Sequence, residues 1–546
     1  MKLDSLHQLS KNISISLDLL YKSSTARIGF ILSVLVMLAL IIWSLDKGLI
    51  FLDEAFYLLH LRDGSNPLAL SNWFVIFQKT NITNLNHIRL LIFASMVSSS
   101  FFLGYAFSFF YFRIWPAWFV GCVAVFFTFL LPIPVQFVPN NFTLNLVFIY
   151  ISIAFLFLGL GNKTKLSKNS LMYFSGLLFG PVPFIMITNL PLIGAIFLFV
   201  ILIEKKTAFQ LLVFWILGFL STLIVFFQFF QSFEEFITKF QDAVEFSSFI
   251  SSHGIKPLLK WHYNTIIYYL GLPLNLLVLM LCFFYLKNSV NTRLKIISFI
   301  SFVIIFSIQF GFDITNPLAI FPSTLFLIIF FYLFFVNWLD NILSTNDTLV
   351  AIFLVSILYF ATLGTDVPFR YRSSTYLSGL VLAILIMAKN NKFGFLVFAA
   401  LTFLCFLNFL TYPIQNGWHR YKMVEQKHEV KIPNGEGYVK LDQLTKNTVE
   451  KLIPILANRE NVLISDGKLW GYIYLTNAQA PYLSFWENEA YFQFYRKKRE
   501  LGLEDFTFFE GKYRKFSPGL IEEIVDSNLF EMVEVEDFRL FIPKQN

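Results

Sequence analysis

The sequence predicts a polytopic α-helical membrane protein with a C-terminal soluble α/β domain. Hydrophobic residues make up 56% of the 546 residues and charged residues only 14%, whereas soluble proteins carry roughly a quarter charged residues. Apolar runs of about 17–25 residues, each long enough to cross a bilayer, recur across positions 28–412. Positions 413–546 instead have mixed charge and short apolar runs, which is typical of a soluble domain.

The apolar runs predict about thirteen membrane-spanning helices within a transmembrane domain at residues 28–412. Pro181, Pro183 and Pro191 interrupt the fifth and sixth runs, because proline removes a helix hydrogen bond. The predicted spans are approximately 28–45, 90–112, 115–131, 142–161, 171–189, 191–203, 208–230, 265–286, 296–312, 317–338, 348–364, 373–388 and 393–412.

Lysine and arginine occupy alternate connections between these runs, and basic short loops favour the cytoplasmic side of a membrane. The N-terminal segment, residues 1–27, is therefore predicted to be cytoplasmic. Two long loops, 46–89 and 231–264, and the domain at 413–546 are predicted on the external face. We expect a multi-pass protein of the plasma membrane (in a bacterium, the inner membrane) with a periplasmic or extracellular C-terminal domain.

Charge and cysteine placement exclude several classes of function. The net charge of +7 does not indicate a nucleic-acid partner, because the basic residues lie in short loops and not on one face. One connection between the apolar runs, which contains Asp340 and Asp347, has no lysine or arginine and therefore departs from the rule that cytoplasmic loops are basic. Cys122, Cys282 and Cys405 all lie in apolar runs, which predicts neither a disulfide framework nor a cysteine metal site.

The C-terminal domain is predicted to alternate strands and helices, as α/β domains do. Predicted strands lie at 461–465, 506–510 and 530–542, and predicted helices near 442–457, 487–500 and 518–527. The segment DGKLWGYIYLTNAQAPYLSFW is rich in aromatic residues. These aromatics either form the core of the domain, which is the favoured interpretation, or stack on sugars.

Asp53 and Glu54 form the most informative local feature, directly after the first predicted span in FLDEAFYLLHLRDG. Charge near lipid is costly and must face water, a partner or a substrate. In a helix, Asp53, Tyr57 and His60 share one face, and Glu54 points about 100° away. We expect a helix in the membrane interface with its polar edge towards the protein. The alternative is an interfacial helix whose acids face water or stabilise its N-terminus.

Two further predicted external loops contain candidate binding residues, in SHGIKPLLKWHYN and in GTDVPFRYRSSTY. Basic residues at this depth can hold a phosphate head group whose tail stays in the bilayer. Each of them alone also fits an ordinary interfacial residue that extends its charge to water. The candidates are Lys256, Lys260, His262, Tyr263, Arg370 and Arg372.

Together, DEAFYLLHLRDG after the first span, RYRSSTYLSG before the penultimate span and the C-terminal α/β domain resemble the GT-C superfamily of integral-membrane glycosyltransferases. The resemblance is strongest to the aminoarabinose-transferase and protein O-mannosyltransferase-like branch. It covers the whole chain in layout and is specific around Asp53 and Glu54. Many members have a Lys-Pro-Pro-like motif in the first loop, where this chain has ALSNWFVIFQKTNITNLNHIR. That departure leaves the acceptor open.

The resemblance implies transfer of a sugar, with inversion, from a polyprenyl phosphate to a lipid, glycan or protein acceptor. Asp53 would be the general base, with Glu54 as the second catalytic candidate. The departing phosphate needs positive charge, from Arg370, Arg372 or Lys256, or from a divalent metal ion; no organic cofactor is implied. The full set predicted to bind substrate or lipid phosphate is Tyr57, His60, Arg89, Lys256, Lys260, His262, Tyr263, Arg370 and Arg372.

Two alternative functions stay open at the level of sequence. A transporter or flippase of a lipid-linked glycan would carry charge at the membrane midplane, whereas here the charges gather in predicted external loops. A glycan polymerase or ligase would join longer chains, and the terminal soluble domain argues mildly against it.

Overall fold

The computed structural model describes residues 22–63, 74–79, 82–112, 116–130, 137–162, 164–249, 329–330, 333–334, 344–361, 375–388, 392–415, 422–482 and 489–544. In these parts the chain is mostly helical up to residue 415 and contains strands only from residue 428 onwards. The predicted combination of apolar helices followed by a C-terminal sheet is confirmed. The predicted spans 265–286 and 296–312, and most of 317–338, lie outside the described residues.

The helices of the first 415 residues are numbered here along the described parts of the chain. They are α1 Ser24–Ser44, α2 Asp53–Asp63, α3 Phe74–Gln78, α4 Leu85–Phe107, α5 Ala117–Phe129, α6 Asn141–Gly161, α7 Lys165–Phe179, α8 Val182–Ile185, α9 Leu190–Glu204, α10 Ala208–Phe229, α11 Phe233–Phe249, α12 Thr345–Phe360, α13 Leu377–Met387 and α14 Lys392–Gln415. Helix α4 continues as a π-helix over Ser108–Phe112.

Among the described residues, α1, α4 with its π-helical extension, α6 and α10 are long and apolar enough to cross a membrane, by length and composition. Shorter apolar helices follow the same pattern: α5, α9, α12, α13 and positions 398–411 of α14. These helices coincide with predicted spans. The total of about thirteen stays a prediction, because length and composition alone do not place a helix across a bilayer.

The fifth predicted span, 171–189, differs from the structure. Helix α7 ends at Phe179, one helical turn follows as α8, and a 3₁₀ turn leads into α9. Pro181 and Pro191 lie at the starts of α8 and α9. Proline is tolerated there because the first N–H groups of a helix have no intrahelical partner. The prolines therefore begin new helices and do not interrupt a continuous one.

Helices α7 and α10 pack through glycine. A side chain at Gly176 would meet the carbonyl oxygen of Trp215, and one at Gly218 would meet the carbonyl oxygen of Tyr173. Small residues that let two backbones approach closely are typical of helix pairs in membranes. The close approach of α7 and α10 therefore requires glycine at both positions.

The loop that departs from the charge rule is explained in part by Asp347. This carboxylate is buried in the first turn of α12, where it accepts a hydrogen bond from the backbone N–H of Ser344. It also accepts a hydrogen bond from the hydroxyl of Tyr111, in the π-helix after α4. Asp347 thus connects two helices within the protein and is not a charge exposed in a loop. Asp340 lies outside the described residues.

The described parts of residues 422–544, here called the C-terminal sheet region, contain two sheets. A four-stranded sheet has the order β3-β4-β6-β5; β3 and β4 are parallel and the other neighbours antiparallel. A separate antiparallel hairpin pairs β1 with β2. The elements are β1 His428–Lys431, β2 Tyr438–Leu441, α15 Gln443–Leu456, β3 Val462–Ile464, α16 Trp470–Thr476, α17 Glu489–Lys498, β4 Thr507–Glu510, α18 Pro518–Asp526, β5 Phe530–Val535 and β6 Phe538–Pro543.

The predicted strands and helices of this region are present with small shifts of their ends. The predicted strand 530–542 is a hairpin of β5 and β6, joined by a tight turn at Glu536 and Asp537. Glu536 has a φ of +55°, a conformation that two-residue hairpin turns require and that carries a modest cost for a residue with a Cβ. The β1–β2 hairpin and α16 are additions that the sequence did not predict.

The C-terminal sheet region packs directly on residues 46–89, the first loop. The backbone N–H of Gly48 donates to the carbonyl of Lys440 at 2.7 Å, and that of Gly471 donates to the carbonyl of Phe51 at 2.9 Å. Gly471 is needed here, because a side chain would meet the Phe51 ring. Apolar residues from both sides form one buried cluster: Leu49, Phe51, Leu59, Val439, Trp470 and Leu475. The start of the first loop is therefore packed against residues near the other end of the chain.

Candidate functional site

Asp53 is the first residue of α2, and it is partly exposed. Backbone hydrogen bonds connect its first turn to the preceding residues: the N–H of Ala55 donates to the carbonyl of Ile50, and that of Phe56 to the carbonyl of Leu52. Two carboxylates in the first turn, Asp53 and Glu54, are favourable near the positive end of the helix dipole. The helix predicted from the sequence is thus present, and Asp53 stands at its N-terminal end.

Glu54 has a different environment from Asp53. Its side chain is 1% exposed, and one oxygen, Oε1, accepts from Nε of Arg89 at 2.8 Å. The other oxygen, Oε2, accepts from the backbone N–H of Ile50 at 3.0 Å. Both carboxylate oxygens are therefore engaged within the protein. The two adjacent acids diverge on the helix, as expected from a rotation of about 100° per residue.

Arg89 completes this buried network from the first turns of α4. Its Nη1 donates to the carbonyl of Leu45 at 2.7 Å and its Nη2 to the carbonyl of Gly48 at 2.8 Å. One guanidinium thereby connects the residue after α1, the turn before α2, and Glu54. A buried ion pair is tolerated only when its remaining hydrogen-bonding groups are satisfied, and the carbonyls of Leu45 and Gly48 meet that requirement here. The pair holds the start of α2 against α4.

His60 and Tyr57 occupy the same helix further along. The His60 ring is 5% exposed, its Nδ1 donates to the carbonyl of Phe56 at 2.8 Å, and its centre lies 4.2 Å from the Phe56 ring. Burial lowers the pKa of His60 to about 4, against the effect of its hydrogen bond. The imidazole is therefore neutral at neutral pH. Tyr57 is partly buried, with its ring against Phe56.

Arg62 connects the end of α2 to the C-terminal sheet region. Its Nη2 donates to the carbonyl of Ala478 at 2.6 Å, and its Nη1 lies within 3.5 Å of the Tyr474 carbonyl. The same guanidinium lies 5.8 Å from the centre of the Tyr474 ring. Burial and the hydrogen-bonded Glu436 carboxylate raise the pKa of Tyr474, so its hydroxyl stays protonated and donates to Glu436. Arg62 was not among the predicted site residues.

Asp53 and Glu54 differ in burial and in their hydrogen-bond partners. Glu54 is buried, and both of its oxygens accept hydrogen bonds, one from Arg89 and one from the Ile50 N–H. Asp53 is the partly exposed carboxylate on the same helical turn. A carboxylate held at a helix N-terminus, beside a fixed ion pair, can act as a general base once an acceptor lies within hydrogen-bond reach. The predicted roles of Glu54 and Arg89 in chemistry stay predictions.

The surroundings of Glu54 bear on the predicted divalent metal ion. Each oxygen of Glu54 already accepts a hydrogen bond within the protein, one from Arg89 and one from the backbone N–H of Ile50. In the ranges of the chain that the structure describes, His, Cys, Asp and Glu form no group of three or more that could hold a metal. The divalent metal ion stays a prediction.

Six predicted site residues lie outside the described residues: Lys256, Lys260, His262, Tyr263, Arg370 and Arg372. Along the chain, they lie between α11 and α12 or between α12 and α13. Their placement near Asp53 stays a prediction. Of the remaining candidates, the structure brings together Asp53, Glu54 and Arg89 at the start of α2, with Tyr57 and His60 on its following turns.

Sequence reasoning missed the residues that connect the first loop to the C-terminal sheet region. Arg62 lies within DEAFYLLHLRDG, and its position in the last turn of a predicted helix was the available signal, because basic residues are favoured there. Lys440 and Glu436 carried no such signal. Their partners in the first loop lie several hundred residues away along the chain.

The sequence matches no protein-family model and no curated protein. Among solved structures, the chain is similar to that described as "Crystal structure of the Archaeoglobus fulgidus oligosaccharyltransferase complex with Zn and sulfate", at 11% sequence identity and a TM-score of 0.45. The alignment covers 88% of this chain and 67% of that chain.

Proposed function

We propose that this chain is a membrane glycosyltransferase that moves a sugar from a polyprenyl-phosphate donor to a lipid, glycan or protein acceptor. The reaction takes place on the external face of the membrane, and Asp53 is the general base. The N-terminus is cytoplasmic, and the C-terminal sheet region is external, next to the first loop. The donor enters from the bilayer with its phosphate at the interface.

The observation that carries this proposal is the position of Asp53. It is a partly exposed carboxylate at the start of α2, the helix that follows the apolar helix α1, and the next residue is held by a buried ion pair. A base must be kept at a defined distance from the proton that it removes, since displacement by about 1 Å can cost roughly 10²-fold in rate. The Glu54–Arg89 pair supplies that rigidity. The resemblance of DEAFYLLHLRDG to glycosyltransferases of this class is independent support.

The proposed step conserves atoms and charge. The acceptor hydroxyl or amine attacks the anomeric carbon of the sugar, and its proton passes to a carboxylate oxygen of Asp53. The bond between the anomeric carbon and the phosphate oxygen breaks, and the polyprenyl phosphate leaves with the electron pair. Attack opposite to the leaving group inverts the anomeric configuration. Arg370, Arg372 and Lys256 are the predicted sources of positive charge for the departing phosphate.

The experiment that tests this proposal compares Asp53→Asn with Asp526→Asn, an exposed aspartate at the end of α18. Purified protein in nanodiscs is given a panel of radiolabelled polyprenyl-phosphate hexoses and pentoses together with membrane extract as acceptor. Loss of a general base typically lowers the rate by 10²–10⁴-fold. We expect that loss for Asp53→Asn, an unchanged melting temperature, and full activity for Asp526→Asn.

Two results would contradict the proposal. The first is a folded Asp53→Asn protein that transfers sugar at the wild-type rate. The second is movement of a lipid-linked sugar across a liposome membrane without cleavage of its phosphate bond, which would favour the transporter alternative.

A further inference from the structure

The C-terminal sheet region contains a cleft of about 140 Å³ that the proposed reaction does not use. Its lining includes Asp466, Lys468, Tyr472, Tyr513 and Asp537. Asp466 follows β3 and Tyr513 follows β4, while Asp537 lies in the turn before β6. Because β3 and β4 are parallel neighbours, their carboxyl ends meet at one edge of the sheet. Ligands of α/β sheets bind preferentially outside the carboxyl ends of such strands.

The cleft presents aromatic surface to its interior. Tyr513 is 61% exposed, and the ammonium group of Lys468 lies 5.1 Å from the centre of its ring. Tyr472 lies deeper, where its ring contacts Phe538 and Phe509. An exposed aromatic side chain beside charged groups offers a flat apolar face for the C–H groups of a sugar ring, with hydrogen-bonding groups at its edge.

The polar groups of the cleft are arranged for hydroxyl groups. Asp466 uses Oδ1 to accept from the backbone N–H of Lys468, and Asp537 uses Oδ2 to accept from Lys512 at 2.9 Å. Within the described parts of the chain, these bonds leave the second oxygen of each carboxylate available. Carboxylates accept and ammonium groups donate, so a ligand that both donates and accepts, such as a polyol, is complementary to the pair.

The charge of the lining disfavours a phosphate ligand. Three carboxylates (Asp466, Glu536 and Asp537) line the cleft with two ammonium groups (Lys468 and Lys512). Glu536 is itself paired with Lys451, outside the lining, at 2.8 Å. A phosphate site needs a surplus of positive charge or a series of backbone N–H groups, and the charges here nearly balance. The chemistry therefore favours a neutral saccharide over a phosphate group.

One aromatic contact connects the cleft to the candidate catalytic residue. The ring of Tyr472 lies 4.8 Å from the ring of Phe51, which precedes Asp53 by two residues. The backbone N–H of the adjacent Gly471 donates to the carbonyl of Phe51. The wall of the cleft is thus also the surface against which the start of the first loop packs.

We propose that this cleft binds a saccharide that forms part of the acceptor, so that the acceptor class is a glycan. The assignment of the saccharide to the acceptor rests on the proposed function, whereas saccharide binding itself does not. Tyr513 stacks on a sugar ring, and Asp466 and Asp537 accept hydrogen bonds from its hydroxyls. Binding here holds the glycan beside Tyr472, whose ring also packs on Phe51 at the start of the first loop.

The test uses the full chain in nanodiscs and saturation-transfer NMR with three neutral probes: maltotriose, chitotriose and mannotriose. Variants are Tyr513→Ala and Asp537→Asn, and the matched control is Met532→Ala, a side chain of β5 that is 53% exposed and does not line the cleft. We expect saturation of the ring protons of at least one probe. Its affinity should fall about tenfold or more in both cleft variants and stay unchanged in the control.

Three results would overturn the inference: no probe binds, the cleft variants and the control bind alike, or inorganic pyrophosphate displaces the bound saccharide.

The same measurement on Asp53→Asn separates this inference from the proposed function. Retained saccharide binding with lost transfer supports both. Retained transfer in Asp53→Asn, with binding lost in Tyr513→Ala, would contradict only the catalytic role of Asp53. Lost transfer without any saccharide binding would contradict only the cleft.

Discussion

Glu54 and Arg89 form an ion pair in which Nη2 of Arg89 lies 2.8 Å from Oε1 of Glu54, and their side chains are 1% and 4% exposed. The pair brings together helices that begin 32 residues apart along the chain, Asp53–Asp63 and Leu85–Phe107. The guanidinium of Arg89 also donates to the carbonyls of Leu45 and Gly48. These contacts together fix the start of α2 against α4. Asp53 takes its position from that contact.

The first prediction concerns the loss of this pair. Arg89→Ala leaves a buried carboxylate without its partner, which typically destabilises a protein by about 3–5 kcal/mol. Arg496→Ala, which removes a partly exposed pair with Glu523, should cost at most about 1 kcal/mol. Chemical unfolding in detergent, followed by tryptophan fluorescence, measures both. An Arg89→Ala protein as stable as Arg496→Ala would show that the buried pair does not hold the first loop.

Arg62 carries the second prediction, on the contact between α2 and the C-terminal sheet region. Arg62→Ala removes charge-assisted hydrogen bonds to the carbonyls at the end of α16, each worth roughly 1.5–3 kcal/mol. Amide hydrogen exchange over residues 470–478 should become at least tenfold faster. The exposed Arg499 serves as the control, and Arg499→Ala should leave exchange there unchanged. Equal exchange in the two variants would contradict the prediction.

His60 predicts a pH dependence of stability. Its pKa in the folded protein is about 4, below the usual 6.5, so unfolding takes up a proton between these values. The stabilisation is complete above about pH 6.5 and is lost as the pH falls towards 4, up to about 3 kcal/mol. His60→Asn cannot titrate, and its amide can still donate to the Phe56 carbonyl. Melting temperatures from pH 7.5 to 4.5 should fall more steeply for the wild type.

The comparison with His60→Asn is needed because carboxylates in the rest of the chain also titrate over this range. The difference between the two melting curves isolates the histidine. Parallel curves for the two proteins would mean that the imidazole is not desolvated in solution.

The close packing of α7 and α10 gives the fourth prediction. Gly176→Ala places a methyl group against the carbonyl oxygen of Trp215, where no side chain can move aside. Overpacking typically costs about 1–3 kcal/mol, and contact with backbone should place this substitution at the upper end. Gly194→Ala, in α9, meets nothing within 4 Å and should be neutral. Thermal unfolding of both variants in the same detergent measures the difference, and equal melting temperatures would contradict the helix contact.

The local parts of the candidate site followed from the sequence. The helix at DEAFYLLHLRDG and the divergence of Asp53 from Glu54 depend only on helical periodicity, which neighbouring residues determine. The partner of Glu54 did not follow, because Arg89 lies 35 residues further along and was predicted to bind phosphate. The C-terminal strands followed from short strand-like apolar runs between predicted helices. Their contact with the first loop did not, because backbone hydrogen bonds between distant segments leave no local pattern.

The sequence by itself determined the helical membrane class and the α/β character of the C-terminus, since both depend on composition and on the length and period of apolar runs. Only the tertiary structure decided that Glu54 is buried and that Asp53 is partly exposed. The physical reason is that desolvation of a charge depends on every atom around it. For Glu54 those atoms come from the end of α1, from α4 and from the turn before α2. The start of the first loop also packs against the C-terminal sheet region, almost four hundred residues further along the chain.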